Sequence, residues 1–371
     1  MTLEVPASQT QDAASLYLAP LDGLRFFAFL LVFIHHLTRQ LGDWHPMADV
    51  QAYGWAGVDL FLAISSYLFF HLLSAEHDKA GRINIAWFYI RRLLRIYPLM
   101  VLFPLVMLVI FGATDRSGVL RLVGLGLFLD NIITWFRDYN PIRFSSHLWT
   151  LSYEFQFYLF LPFIFLAYKR LGQRTFLTLV FGFFLYCFVA RMLFYAAGVR
   201  HPMIWVTPLL KPESLLAGMC LAIVKPDWNW WWSSLAAVLG VVLFANLPLP
   251  WESAFSSAVA YPIIGVTCAA ILDVGLRSGA VSRTLSSRPL VALGRISFGL
   301  YVYHLLGIHL GLDAASLTIE NHDRVNNLGD YGLIFLFSLC ITLALSAASY
   351  WLIERRFDRL KLRFAVVVGR I

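Results

Sequence analysis

Arg25 and His36 stand eleven residues apart inside one apolar stretch. Eleven residues turn a helix through about 1,100°, three turns plus ~20°, so the two share a face some ~16 Å apart along the axis. A guanidinium binds anionic groups through charge-assisted, bidentate hydrogen bonds. An imidazole titrates near neutral pH and can take or return a proton. His35 points about 80° away from Arg25, so His36 is the better candidate. Asp59, Glu154, Arg191, Lys211, Glu213 and His304 are likewise set in apolar runs, while Arg91, Arg92, Arg95, Arg295 and Glu354 sit at or near the ends of such runs.

The elements that position these groups follow from composition. Of 371 residues, 59% are hydrophobic, 16% aromatic and only 14% charged. A soluble domain carries about a quarter charged residues; this chain can solvate only short loops, and lipid must face the rest. The expected fold class is therefore all-α, a polytopic transmembrane helix bundle. The net charge of +7 lies in short clusters between apolar runs, the distribution of orientation signals and not of a nucleic-acid surface. The four cysteines (Cys187, Cys220, Cys268, Cys340) all fall in apolar stretches and read as small hydrophobes, not a disulfide framework. No metal site is expected. Residues 1–19 lack Lys and Arg, and no small-residue cleavage site follows the first apolar run, so no secretory signal is expected.

A bilayer core takes about 20 apolar residues as helix. Candidate segments lie near 20–41, 55–75, 97–113, 119–135, 148–168, 175–197, 204–224, 230–248, 256–276, 289–311 and 331–353. Basic clusters fall at 76–96, 169–174, Lys225, 277–288 and the tail after Ile353. If every segment spanned, the first cluster would lie opposite the rest. Treating 97–135 as one net crossing, with one piece re-entrant or peripheral, puts all of them on one side, which the positive-inside rule makes cytoplasmic. The expectation is about ten spans. Residues 1–19 form a cytoplasmic tail, 20–357 the membrane domain, and 358–371 a basic cytoplasmic tail. The outer loops then hold only Arg200 and Arg324. Arg116, Arg121, Arg137 and Arg143 make 97–147 the least regular stretch.

This orientation sorts the polar residues by depth. Arg25, Arg95, Arg295 and Glu354 fall toward the inner face; His36, Asp59, Glu154, Arg191, Lys211, Glu213 and His304 fall in outer halves. Ionisable groups inside a membrane mark function by default. Each also has a structural reading: a lone His or Asp as a hydrogen-bonding residue, the arginines as snorkelling anchors, Trp228 and Trp230 to Trp232 as an interfacial belt. The co-location of several such groups favours a site.

Six stretches in order carry a family resemblance. Leu21-Asp22-Gly23-Leu24-Arg25 followed by His36 resembles the opening signature of the acyltransferase-3 family of membrane O-acyltransferases. Gly57-Val58-Asp59-Leu60-Phe61 through Ser65 and Tyr67-Leu68 is similar to its second-helix motif. Phe88-Tyr89 with Arg91-Arg92-Leu93-Leu94-Arg95-Ile96-Tyr97-Pro98 is similar to its basic loop, and His147-Leu148-Trp149-Thr150-Leu151-Ser152-Tyr153-Glu154 through Tyr158 to its central motif. Gly294-Arg295-Ile296-Ser297 through His304 resembles the penultimate helix, and Tyr350 to Glu354 the end. The resemblance covers 20–357. Ser66 replaces a usual Gly, Phe155 a frequent second acidic residue and Arg356 a common Pro. The SGNH hydrolase-like domain of some relatives is not expected here.

The resemblance implies an acyl-CoA donor, commonly acetyl-CoA, with no tightly bound cofactor. It implies a hydroxyl acceptor on a glycan, lipid-linked sugar or glycosylated small molecule at the outer side, and a bacterial cytoplasmic membrane location. Arg25, Arg91, Arg92 and Arg95 become the expected acyl-CoA-binding residues. Attack of a hydroxyl on a thioester needs a base and an oxyanion donor. His36 is the expected base, with Asp59 or Glu154 to orient it. Ser152, Tyr153 and Lys211 are candidate oxyanion donors, and His147, Trp149 and His304 are supporting or acceptor-side residues. Direct attack and an acyl-His36 intermediate both remain open. The rival class is a secondary transporter that relays protons through the buried Asp, Glu and His, against which no inverted repeat is visible. A non-catalytic scaffold is a third reading, opposed by the retained His36, Glu154 and arginines.

Overall fold

The computed structural model describes residues 16–38, 48–113, 117–136, 141–199, 202–317 and 328–367. Arg116, Arg137, Arg200 and Arg324 lie outside the described residues, as do 1–15 and 368–371 of the two expected tails. Among the described residues the chain is helical and has no strand, with one isolated bridge between Ala113 and Ile142.

The first half comprises α1 (Ala19–Thr38), α2 (Ala48–Tyr53), α3 (Ala56–Ala80), α4 (Ile85–Phe111), α5 (Ser117–Gly126), α6 (Asp130–Phe136), α7 (Trp149–Leu171) and α8 (Gln173–Ala196). The second comprises α9 (Met203–Val206), α10 (Glu213–Val224), α11 (Trp230–Ala245), α12 (Ala254–Arg277), α13 (Gly279–Leu285), α14 (Arg288–Arg295), α15 (Ser297–Ser316), α16 (Leu328–Ser349) and α17 (Arg355–Lys361). A π-helical turn over Tyr350–Glu354 joins the last two.

Among the described residues, 7 helices can cross a membrane by length and composition: α1, α3, α4, α7, α8, α12 and α16 with its continuation. The pair α14 and α15, bent by 71°, makes an eighth if it is one span. The expected count of about ten is therefore not reached on these grounds, and the shortfall has local causes. The 119–135 segment breaks into α5 and α6 at a turn where Phe128 takes φ 56°, a conformation bulky residues rarely adopt; its ring stacks on Phe155 at 3.6 Å. The 204–224 segment breaks between α9 and α10, where Pro208 and Pro212 bias the preceding residues away from helix. That leaves α10 with 12 residues, and α11 has 16.

The structure also differs at the basic stretch 91–95. Read as loop, it is the opening of α4, which begins at Ile85 because the Asn84 side chain accepts the Trp87 backbone N–H at 3.0 Å. Phe88, Arg91, Arg92 and Arg95 are thereby spaced to share one helix face.

The core is made where α1 packs on α3, α14 and α15, α10 on α3 and α12, and α15 on α16. Small residues permit these crossings, as expected where lipid supplies no hydrophobic drive between helices. A Cβ at Gly218 would run into the Ala63 carbonyl on α3, and one at Gly311 into Ser338 on α16.

Ion pairs gather the basic clusters at one end of the bundle. Lys169 meets Asp78 at 3.4 Å, Arg91 meets Glu76 at 3.0 Å, and Arg95 meets Asp358 at 3.3 Å. Arg277 donates to the Pro226 and Trp228 carbonyls beside Lys225. At the opposite end Tyr53 donates to the Leu247 carbonyl and Tyr195 to that of Glu252.

Candidate active site

Three histidines from α1, α15 and the 3-10 turn before α7 converge. The rings of His36 and His304 lie 4.8 Å apart, and those of His304 and His147 4.6 Å. The hydrogen bonds assign the tautomers. His304 Nδ1 faces the Tyr301 carbonyl at 2.6 Å, so it carries the proton and leaves the Nε2 lone pair to accept. That Nε2 lies 3.2 Å from His36 Nδ1, which also faces the Val32 carbonyl at 2.9 Å. Two acceptors around one nitrogen mean that His36 Nδ1 is the N–H, and its basic lone pair is on Nε2. The imidazole is held by its own helix and by His304 in the tautomer a base requires. Neither ring nitrogen of His147 meets a partner at hydrogen-bonding geometry among the described residues. Its backbone carbonyl is fixed instead, by the Tyr301 hydroxyl at 3.1 Å and the Thr150 hydroxyl at 3.0 Å.

Beneath this cluster lies a cavity of about 190 Å³. Arg25, Arg91, Arg92 and Arg95 line its basic end; Glu154, Thr150 and Tyr301 line its upper part. Tyr301 and Thr150 line the cavity and none of the three histidines does, although the Tyr301 and His304 ring centroids are only 5.6 Å apart. Lys361, Leu362, Ala365 and Val367 close over the basic end.

The four arginines differ in how their charge is met. Arg25 pairs with Asp22 at 3.1 Å, and Asp22 also accepts from the Tyr17 hydroxyl at 2.8 Å. Burial, and next the Asp22 carboxylate, push the Tyr17 phenol above its usual range, which keeps it a donor. Arg91 is held by Glu76 and the Phe364 carbonyl, and Arg95 by Asp358 and Glu354. Arg92 makes no ion pair among the described residues. Its guanidinium lies 3.7 Å over the Phe69 ring, and its Nε is buried without a partner. Glu154 shares the cavity and accepts from the Tyr158 hydroxyl.

Neither expected orienting carboxylate is hydrogen-bonded to His36. Asp59 accepts from Lys211 Nζ at 2.9 Å and from Ser214 Oγ at 2.6 Å, and Glu154 is turned toward Tyr158 in the cavity. His304 occupies the position beside His36. Lys211 is enclosed by the rings of Trp55, Trp205 and Tyr261 at 5.2–5.9 Å. It belongs to the break before α10, whose carbonyls would otherwise be orphaned at membrane depth. Cys187, Arg191 and Tyr153 donate to the carbonyls of Leu209, Leu210 and Lys211 in turn. Ser152 accepts the Asp130 backbone N–H at 3.3 Å, and Trp149 packs edge-on against Trp205. Buried Arg121 bonds Asp130 and the Ser145 carbonyl, tying α5 and α6 to the turn that carries His147.

Tyr301 and Thr150 stand between cavity and histidines, yet sequence reasoning assigned them no role. Tyr301 lies three residues before His304, a spacing that puts both on one helix face. Asp358 and Lys361 fall in the expected tail; α17 instead returns to Arg95, where Asp358 pairs with it and Lys361 lines the cavity.

A family model for an acyltransferase domain matches residues 18–351. Among curated proteins, a Staphylococcus aureus (strain COL) protein provisionally named an O-acetyltransferase is 25% identical over 367 residues, covering 92% of this chain and 58% of its own length. The O-acetyltransferase OatA of Staphylococcus aureus (strain NCTC 8325 / PS 47) is 25% identical over 317 residues, covering 78% of this chain and 50% of its own. The chain thus spans little more than half the length of these relatives. No solved structure matches it.

Proposed function

The chain belongs to the acyltransferase-3 family and is an acyltransferase, and from that premise we propose that it moves an acetyl group from acetyl-CoA to a hydroxyl of a glycan, lipid-linked sugar or glycosylated small molecule across the membrane. The observation that carries this reading is the vertical order of the site. Arg92, a guanidinium with no ion pair among the described residues, lines a cavity whose lining Tyr301 also touches His304, itself paired with His36. A volume of about 190 Å³ is below the ~300–1,000 Å³ of sites that enclose a drug-sized ligand. It suits the narrow acylated arm of coenzyme A, with the nucleotide phosphates at the arginine end.

In this mechanism the acceptor oxygen attacks the thioester carbonyl carbon while His36 Nε2 takes its proton. His304 Nε2, anchored through its own Nδ1–H, accepts from His36 Nδ1–H and stabilises the imidazolium. The negative charge on the carbonyl oxygen collapses, the carbon–sulfur bond breaks, and the sulfur leaves with the electron pair and receives the proton from His36. The products are the ester and free coenzyme A. For the thioester to reach His36, the Tyr301–Thr150 wall must shift.

In the same proposal the basic end faces the cytoplasm of a bacterial cell by the positive-inside rule, with both termini there. With α10 and α11 added as short crossings to the eight longer ones, the span count reaches ten. The test offers labelled acetyl-CoA to membranes with and without the protein and identifies the labelled product by mass spectrometry. Labelled ester that depends on the protein and on His36 supports the reading. Solute movement without acetyl-CoA consumption would point to a transporter instead. Release of one equivalent of free coenzyme A before acceptor is added, with the label recovered on the His36 peptide, would place the acyl group on His36 as an intermediate.

A further inference from the structure

A second basin opens on the flank of the bundle, between α14 and α17, and the donor reading leaves it unused. Arg288 and Arg295 on α14 face it, and so do Arg355 and Arg359 on α17. Both pairs are at helical spacings that keep them on one face, seven and four residues apart. The opposite face of α14 packs Leu290 and Leu293 into the core, so the helix lies with its basic face outward, bent 71° from α15. Among the described residues Arg288, Arg355 and Arg359 make no ion pair. Arg295 reaches Tyr17. The carboxylate in the basin wall, Asp358, is already committed to Arg95 and Lys361.

The surroundings of this cationic basin are apolar. Trp351, 60% exposed, lies under the Arg355 guanidinium at 4.5 Å, and Leu352 beside it is 65% exposed. Both sit where the π-helical turn leads out of the last spanning helix, the depth at which Trp marks a membrane interface. A soluble anion needs only the arginines; a phosphate attached to acyl chains also uses the exposed Trp351 and Leu352. We propose that this basin binds the headgroup phosphate of an anionic phospholipid from the leaflet on the arginine side, with the lipid tails along Trp351 and Leu352. Juxtamembrane arginines contribute to such binding additively, and basin and donor cavity share the Leu362 wall, so the lipid would steady the segment that closes over the donor arginines.

The test is native mass spectrometry of the full chain in detergent, titrated with dioleoylphosphatidylglycerol or dioleoylphosphatidylcholine. The proposal expects the anionic lipid to be retained at roughly tenfold lower concentration. It expects Arg355→Gln or Arg359→Gln alone to weaken that retention about fivefold, and the two combined with Arg288→Gln to remove the preference. The single variants carry the test if the triple variant does not fold. Equal retention of the two lipids by the wild-type protein overturns the proposal. So does a triple variant that keeps its lipid preference but shows a raised KM for acetyl-CoA, which would assign these arginines to the soluble donor.

Discussion

Two groups of ionisable residues lie at depth in this bundle, and they differ in what their charges are committed to. Around the break before α10, Arg191 meets Glu213 at 2.5 Å and Lys211 meets Asp59 at 2.9 Å, and all four residues are buried. Arg191 also bonds two carbonyls, Leu210 at 2.5 Å and Ala258 at 3.0 Å. Along the path from the arginine end to His36, Arg92 lies over the Phe69 ring and makes no ion pair among the described residues, and the ring nitrogens of His147 meet no partner at hydrogen-bonding geometry there. Opposite charges at ion-pair distance hold helices together, even where Arg191 Nε and both Glu213 carboxylate oxygens lack a hydrogen bond; a group with no ion pair among the described residues can meet a ligand. Substitutions in the first group should therefore cost stability, and in the second, activity.

The largest separation is expected at His36. His36→Ala removes the base and should lower kcat by about 10²–10⁴-fold, with the unfolding transition in detergent unchanged. Activity within a factor of a few of wild type in purified protein would remove His36 from the chemistry.

Next is Lys211→Met, which strips the counter-charge from buried Asp59. Breaking a buried pair in this way costs about 3–5 kcal/mol, read as a lower midpoint of thermal unfolding. Adding Asp59→Leu should recover much of it, since the uncompensated charge goes too. If Lys211→Met instead leaves stability intact and abolishes turnover, the first group is catalytic and the comparison fails.

That the two groups look alike before folding explains what could be read early. Helicity, membrane insertion and the clustering of basic loops at one end follow from apolar runs and their flanking charges, which are local. The Arg25–His36 register is also local, because one helix carries both. What Asp59 pairs with is not, since Lys211 lies 152 positions away and arrives through a Pro-broken segment that reads as one continuous span. His304 beside His36 depends on α1 packing against α15, a contact between chain segments 268 residues apart. The arginines at 91–95 were visible as a cluster, but their sharing of a helix face depended on the Asn84 cap. The separation into paired and unpaired charge is a tertiary property, and it decides which residues to test.

Arg92 is the sharpest probe on the ligand side. Hydrogen bonds to charged groups contribute about 1.5–3 kcal/mol, so Arg92→Ala should raise the KM for acetyl-CoA about 10- to 100-fold while the acceptor KM stays put. Arg95→Ala should act in the same direction but less cleanly, because it also releases Asp358 and Glu354. A change confined to the acceptor KM would move the arginines out of the donor site.

The smallest effect expected is at Tyr301, and it tests the wall between the two parts of the path. Tyr301→Phe keeps the backbone carbonyl that anchors His304 Nδ1, so the base and its partner stay aligned. It deletes the hydroxyl that bonds the His147 carbonyl at 3.1 Å and Thr150 Oγ1 at 2.6 Å. Thr150 still reaches that carbonyl at 3.0 Å, so no buried acceptor is orphaned, and the stability cost should stay near 1 kcal/mol. The kinetic readout discriminates more than the energy. If the wall must move for the thioester to reach His36, loosening it changes kcat by a few-fold in either direction and leaves the KM for acetyl-CoA unchanged. A raised KM with constant kcat would make Tyr301 part of the donor pocket, and the route from Arg92 to His36 would have to pass elsewhere.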